Sequence, residues 1–569
     1  MSNPVFFRTS LGALDLAVSA RLQVLEMDQV IFRLWAKDVR LWKDDPAHHA
    51  SIKNRLGWLE IVDVFLKKVP ELEAFAAEIK SAGFRHVLLL GMGGSSLCPE
   101  VLRLSFGVAP GFPDLRVLDS TDPAAVRAAS AGIDLEKTLF LVASKSGGTI
   151  EVTSFYQHFA GLVRRPDAFV AITDPGSSLE KLAKERGFRR VFLNPVDIGG
   201  RYSALTYFGL VPAVLIGVNL DWFLRDAGWM VGACASGVSP KNNPAAVLGV
   251  VMAEAMRAGR DKLTLIQTQE IAALGSWIEQ LVAESTGKEG LGILPVDDEP
   301  ALPVEAYGPD RLFVAVRFDP ARPDPELDAR LAALEKAGHP VLQIALKDRN
   351  DLAGEFYRWE LATAIAGAIL RINPFDEPNV KESKDLTAEV LARFAKNGAL
   401  PEDAPVASGD GVTLWADPKL RAEIAGKSPA EAVAAHLRRA GAGDFLAWLA
   451  YLPRTDALDA EFRAMRAAIA GRKRLATTLG YGPRFQHSTG QLHKGGPNTG
   501  VFFQVTADAA EDLPIPGAGY GFRVLERAQA LGDFQALVRR DRRALRVHLG
   551  ADIAGGLRKL RQWVEAAVS

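Results

Sequence analysis

The sequence predicts an α/β protein with two doubly wound parallel-sheet subdomains, a helical segment before them and a further α/β region after them. Two observations carry this expectation. From residue 85 short apolar runs alternate with amphipathic helical stretches, and the alternation resumes beyond residue 236; alternating strand and helix implies a parallel sheet covered on both faces. A chain of 569 residues is also too long for one ordinary core. The expected segments are 1–80, 81–235, 236–400 and 401–569.

Residues 1–80 read as helices, because "LQVLEMDQVIFRLWAKDVRLW" and "LGWLEIVDVFLKKV" carry apolar stripes without β-branched runs. Strands follow in "HVLLLG", "RVLD", "TLFLVAS", "FVAITD" and "RVFLN", separated by helical stretches such as "TSFYQHFAGLV" and "SLEKLAKERG". The second set has "KLTLIQ", "RLFVAVRF" and "VLQIALK", with helices around 274–283, 326–337 and 355–371. Past residue 385 the composition shifts to Ala, Arg and Asp. A Pro/Gly stretch near 401–412 marks a boundary, followed by helices, the strand "TGVFFQVT" and a closing amphipathic helix from 551.

With 67 Lys and Arg against 68 Asp and Glu, the formal net charge is −1, so nothing in the balance points to a nucleic-acid surface. No window holds 18 continuous apolar residues and the N-terminus lacks a signal-peptide pattern, which argues against membrane spanning and secretion. Cys98 and Cys234 form neither a metal nor a disulfide pattern, and a reducing cytoplasm suits them. The expected partner is small.

Three glycine-bearing loops carry the chemistry. "VLLLGMGGSSL" runs from strand through Gly91, Gly93, Gly94, Ser95 and Ser96 into a helix, nearly a dinucleotide fingerprint. Ser96 stands at its third glycine position, however, and Asp119 comes later than the ribose-binding acid should. "LFLVASKSGGTIEV" repeats the architecture with Ser144, Lys145, Ser146 and Thr149. Hydroxyls and backbone N–H groups at a helix start suit a phosphate monoester without magnesium, and the alternative is a plain turn. In the third loop Arg201 follows Gly199 and Gly200, where a guanidinium can be held against an anion.

The stretch "EIAALGSWIEQLVAESTGKEG" aligns Leu274, Trp277, Leu281 and Glu284 on one helical face. Glu284 then lies on a buried stripe near a helix C-terminus, where burial and the macrodipole both raise its pKa, as a base for carbon acids needs. The alternative is a frayed end with Glu284 in water or paired to Lys288. "INPFDEPNVKESK" forms a shaped loop ending in Lys381 and Lys384. "RFQHSTGQLHKGGPNTG" concentrates His487, Ser488, Thr489, Gln491 and His493 among glycines, more acid/base groups than core packing requires. His48, His49, His158 and His436 lack such a context.

Taken together, "GMGGSSL", "SKSGGT", "GGRYS", "ESTGK", "NPFDEPNVKESK" and "HSTGQ" followed by "HKGG" resemble the glucose-6-phosphate isomerases of the sugar-isomerase-domain (SIS) type. The isomerase half of bacterial transaldolase/glucose-6-phosphate isomerase fusions is the most similar. The resemblance implies reversible isomerisation of glucose 6-phosphate and fructose 6-phosphate through an enediolate, in a cytoplasmic homodimer with no cofactor or metal and a functional link to a transaldolase. By the same resemblance Ser95, Ser144, Ser146 and Thr149, with Lys145 beside them, bind the substrate phosphate. Gly94, Gly200 and Gln491 contact substrate, Arg201 stabilises the enediolate and Glu284 moves the proton between C2 and C1. Lys384 and His487 assist ring opening, the histidine coming from the neighbouring subunit in this family. Here the histidine segment follows Lys384 by about a hundred residues instead of preceding it, which leaves open whether His487 serves its own chain or a partner's. Other readings are an isomerase of another anionic hexose, phosphorylated or sulfonated, a non-catalytic sugar-phosphate-binding regulator, or a dehydrogenase using the first loop.

Overall fold

A computed structural model describes residues 6–569 of the chain; positions 1–5 of the expected N-terminal helical segment lie outside the described residues. That segment begins with a strand, β1 (Phe6–Ser10), before its helices. Five strands, β2 (His86–Gly91), β3 (Asp114–Leu118), β4 (Thr138–Ala143), β5 (Phe169–Thr173) and β6 (Arg190–Leu193), form an all-parallel sheet in the order β3-β2-β4-β5-β6. β4 is buried along its whole length, and β2 everywhere except its first residue. A sheet covered by helices on both faces requires such unbroken apolar runs.

The second sheet contains β7 (Lys262–Gln267), β8 (Leu294–Val296), β9 (Arg311–Phe318) and β10 (Val341–Leu346), in the order β1-β10-β9-β7-β8. β1 is its antiparallel edge, pairing Phe6 with Ala345 and Ser10 with Val341. The N-terminal segment is therefore not wholly helical: "FFRTS" completes a sheet whose other strands lie more than 250 residues further on. Such distant pairing leaves no local periodicity to read.

The C-terminal region holds more sheet than the single strand recognised by periodicity. β11 (Ala407–Gly409), β12 (Val412–Ala416), β13 (Phe445–Tyr451), β14 (Ala476–Tyr481), β15 (Gly500–Thr506) and β16 (Arg543–His548) make a six-stranded sheet ordered β11-β12-β16-β15-β13-β14. Four strands are parallel, and β12 joins β16 antiparallel. This unit is anchored on the second sheet by a core in which Ala283, Leu294 and Val296 meet Phe445, Phe485, Leu492 and Phe502. Each fully buried Leu or Phe there contributes about 1.5–3 kcal/mol. Helix Val380–Asn397 also packs along helix Phe522–Arg539. The result brings the turn after β14 against the loops of the first sheet. No helix among the described residues is long and apolar enough to cross a membrane.

Candidate active site

The first sheet reverses its winding between β2 and β4, and the loops after those strands open a crevice beyond their C-terminal ends, the usual ligand position in such sheets. Gly94 lets the first loop lie directly on the third, because a Cβ there would sit 2.0 Å from the Gly200 carbonyl oxygen. Gly93 adopts a φ of +54°, which glycine takes without strain. A Cβ on it would meet Gln280 Nε2 at 2.8 Å and the His487 backbone oxygen at 3.1 Å. Two glycines thus bring four distant segments into contact around a cavity of about 500 Å³.

Ser95, Ser144, Lys145, Ser146 and Thr149 line one end of this cavity. Ser144 Oγ lies 3.0 Å from Thr149 Oγ1 and accepts from the Gly147 amide at 3.2 Å, so the loop holds its own hydroxyls in place before any ligand arrives. Lys145 is paired with Asp174, which leaves the hydroxyls and amides as the loop's main anion donors. Ser96 does not face this end: its hydroxyl donates to Asp119 Oδ2 at 3.1 Å, and Asp119 also meets Arg484 at 3.4 Å. The carboxylate expected of a ribose-binding acid is thereby engaged in holding the loop.

At the other end Arg201 is 3% exposed and almost fully committed. Its Nε donates to Ser285 Oγ at 2.8 Å and its Nη2 to the Pro374 and Asp376 carbonyls at 2.8 and 2.9 Å. Nη1 meets Glu377 at 3.1 Å and lies 3.7 Å from Glu284 Oε1. Glu284 sits on helix Leu274–Thr286 with its carboxylate in the cavity, neither in water nor paired to Lys288, whose ammonium is 2.8 Å from Asp376. Burial raises the Glu284 pKa, the Arg201 charge opposes that and the Glu377 charge reinforces it, leaving it above the ordinary glutamate value. A nearby guanidinium and a poised carboxylate can support proton transfer at carbon beside a carbonyl.

His487 reaches this cavity within its own chain, on the short 3₁₀ helix Arg484–His487 after β14. Its Nε2 is 3.0 Å from Glu151 Oε1, which also accepts from Gln529 Nε2 at 2.8 Å, and Gln529 Oε1 accepts from Thr121 at 2.7 Å. Burial alone would raise the Glu151 pKa, but the charge of His487 and its hydrogen bond outweigh burial and hold the carboxyl below the ordinary value. A carboxylate at Nε2 fixes the proton there and leaves Nδ1 as the free nitrogen. Gln280, one turn before Glu284, bridges Glu284 Oε2 at 3.2 Å and the His487 carbonyl at 2.7 Å.

A family model described as phosphoglucose isomerase matches residues 67–291, which contain Ser95, Ser144, Arg201 and Glu284. That stretch of the chain is similar to this family. It is 27% identical over 381 residues to a probable glucose-6-phosphate isomerase of Methanococcus maripaludis, covering 60% of this chain and 85% of that one. It is 29% identical over 380 residues to a glucose-6-phosphate isomerase of Prochlorococcus marinus, covering 58% and 72%. Among solved structures, a hypothetical protein of Thermus thermophilus is similar in fold at 23% identity and a TM-score of 0.59, over 68% of this chain and all of that one. A glucose-6-phosphate isomerase of Chlamydia trachomatis gives 19% identity and a TM-score of 0.52, over 65% of this chain and 78% of that one.

Of the residues that the family motifs single out, Gly94, Gly200, Lys384 and His487 all line the cavity with the groups above. Lys384, exposed on helix Val380–Asn397, makes no hydrogen bond or ion pair among the described residues. Gln491 does not line it. Its Nε2 donates to the Gly287 carbonyl at 2.9 Å and its Oε1 accepts from the Asn379 amide at 2.8 Å, so it ties the end of the Glu284 helix to the loop holding Arg201. His493 is packed among Phe445, Phe485 and Phe502, where burial pushes its pKa well below the ordinary histidine value. Sequence reasoning missed Gln280, Glu151, Glu377 and Gln529. Gln280 was detectable four residues before Glu284 on one helical face, and Glu151 and Glu377 lie within motifs already singled out. Gln529 gives no local signal.

Proposed function

We propose that the protein interconverts glucose 6-phosphate and fructose 6-phosphate, with Glu284 as the base. The carrying observation is the Glu284–Arg201 approach of 3.7 Å in the same cavity as the Ser144–Thr149 hydroxyl loop. The loop after β4 anchors the phosphate, far enough from the reacting carbons to act as a handle. His487, oriented by Glu151, exchanges a proton with the ring oxygen while Lys384 faces the anionic substrate at the rim. Glu284 then removes the C2 proton and returns it to C1, and Arg201 holds the negative charge of the enediolate between the two transfers. Electrons move only within the sugar, so atoms and charge balance without a redox partner.

His487 acts in its own chain on this reading, supported by its contact with Glu151 of the same chain. A homodimer, a cytoplasmic setting and a functional link to a transaldolase remain part of the proposal on the family resemblance. The test incubates metal-free, EDTA-treated protein with each sugar phosphate separately. Conversion in both directions is expected. No conversion, or conversion that needs an added divalent metal, would overturn the reading.

A further inference from the structure

A second cavity, a groove of about 970 Å³, shares a loop with the active site: Glu377 and Val380 line the first cavity, while Asp376, Pro378 and Asn379 line the groove. Its remaining walls come from the N-terminal helical segment, the turn after helix Leu274–Thr286 and the "HKGG" turn beside Arg540 and Arg542. No role described so far uses it.

The groove is rich in cations, and nearly all are spoken for. Lys43 pairs with Glu289 at 2.7 Å, Lys288 with Asp376 at 2.8 Å, Lys494 with Asp533 at 2.7 Å and Arg540 with Glu382 at 2.9 Å. Arg542 differs. It is 7% exposed, its Nη2 donates to the Lys494 and Gly496 carbonyls, and no carboxylate lies within ion-pair distance among the described residues. Its Nε is buried without a hydrogen-bond partner. Burial and the charges of Arg540 and Arg543 disfavour its charge, and Asp541, beyond ion-pair distance, opposes them only in part. A buried guanidinium without a counter-charge is costly to hold, and a bound oxyanion removes the cost. His48, on the wall supplied by the N-terminal segment, brings a second donor to the same groove.

We propose that this groove binds a phosphate-bearing small molecule, with Arg542 as the counter-charge. With Nη2 committed to two carbonyls and Nε buried, Nη1 makes no hydrogen bond among the described residues and is the nitrogen left to meet a phosphate oxygen. The groove's volume exceeds that of the catalytic cavity, enough for a small phosphorylated molecule.

Equilibrium dialysis of the full chain against labelled inorganic phosphate tests this, with Kd expected on the order of 1 mM. Two equivalents per chain are expected for the unaltered protein. Arg542→Met should lose one, and His48→Glu, a change at the rim, should weaken the same one about tenfold or more. Ser144→Ala with Thr149→Ala should lose only the other. Should Arg542→Met fail to fold by circular dichroism, His48→Glu decides. A single equivalent abolished by the serine and threonine changes and indifferent to His48→Glu refutes the groove and leaves the catalytic reading standing. A single equivalent lost in Arg542→Met and weakened in His48→Glu supports the groove and counts against the phosphate loop. Displacement of the groove equivalent by equimolar acetate refutes the phosphate assignment.

Discussion

Glu151→Gln keeps the shape behind His487 and removes its charge. Both side chains are largely buried, at 4% and 13% exposure, so solvent screens their interaction little. A hydrogen bond to a charged group in such a place is worth about 1.5–3 kcal/mol, which corresponds to a loss of about 10- to 150-fold in the step that His487 serves. Because His487 and Gln529 both meet Oε1, the glutamine oxygen can still accept from both, so the substitution removes the charge and leaves the orientation. The informative assay uses glucose 6-phosphate deuterated at C2. If ring opening becomes limiting in Glu151→Gln, kcat falls and the primary isotope effect shrinks towards unity, whereas Glu284→Gln keeps a full effect. A fall in kcat with the isotope effect undiminished would place Glu151 on the proton-transfer step and refute the reasoning.

Glu284→Gln should lower kcat by roughly 10²-fold or more while substrate still binds; turnover near that of the unaltered protein would return Glu284 to a structural role. Ser144→Ala with Thr149→Ala should raise KM with kcat little changed, and a fall in kcat alone would count against an anchoring loop. Because the Glu284 pKa is raised, the base stays protonated to higher pH than an ordinary glutamate, so the acid limb of kcat/KM should lie above pH 4.5. Glu377→Gln removes one of the raising charges and should move that limb to lower pH; an unmoved limb would dissociate Glu377 from the base. Mixed dimers of His487→Ala and Glu284→Gln chains should regain no activity, since each cavity then carries one lesion, and recovery of one good site in two would show the histidine crossing between chains.

The site was legible where chemistry and backbone geometry coincide. Gly93, Gly94, Ser95 and the Ser144–Thr149 run stand out because a loop that brings backbone to an anion needs small residues and hydroxyls in a short span, between a strand and a helix. Glu284 was readable from its place on an apolar stripe. The Glu151–Gln529 contact was not, since it joins residues 378 apart in sequence and its energy depends wholly on tertiary placement. The alternation of strand and helix revealed the first two sheets for the same local reason. β1 pairs with residues 341–345 and therefore escaped, and most of the third sheet was obscured by the alanine-rich composition of its surroundings. Gln491 shows the opposite error. Its motif made it look like a substrate ligand, but a buried amide with both ends bonded to backbone serves as a brace.

The late arrival of His487 and Gln529 sets when the catalyst can first exist. On the ribosome, at about 5–20 residues per second, the start of helix Ile150–Leu162, which bears Glu151, emerges long before its two partners, and the Ser144–Thr149 loop is complete while more than half of the chain is still to be made. Until the last sheet forms and docks, neither His487 nor Gln529 stands against Glu151. A chain that stops between Lys384 and His487 therefore lacks both partners of Glu151, and with them the Ile515, Phe522, Leu525 and Leu531 side chains that pack into the core of the first two sheets.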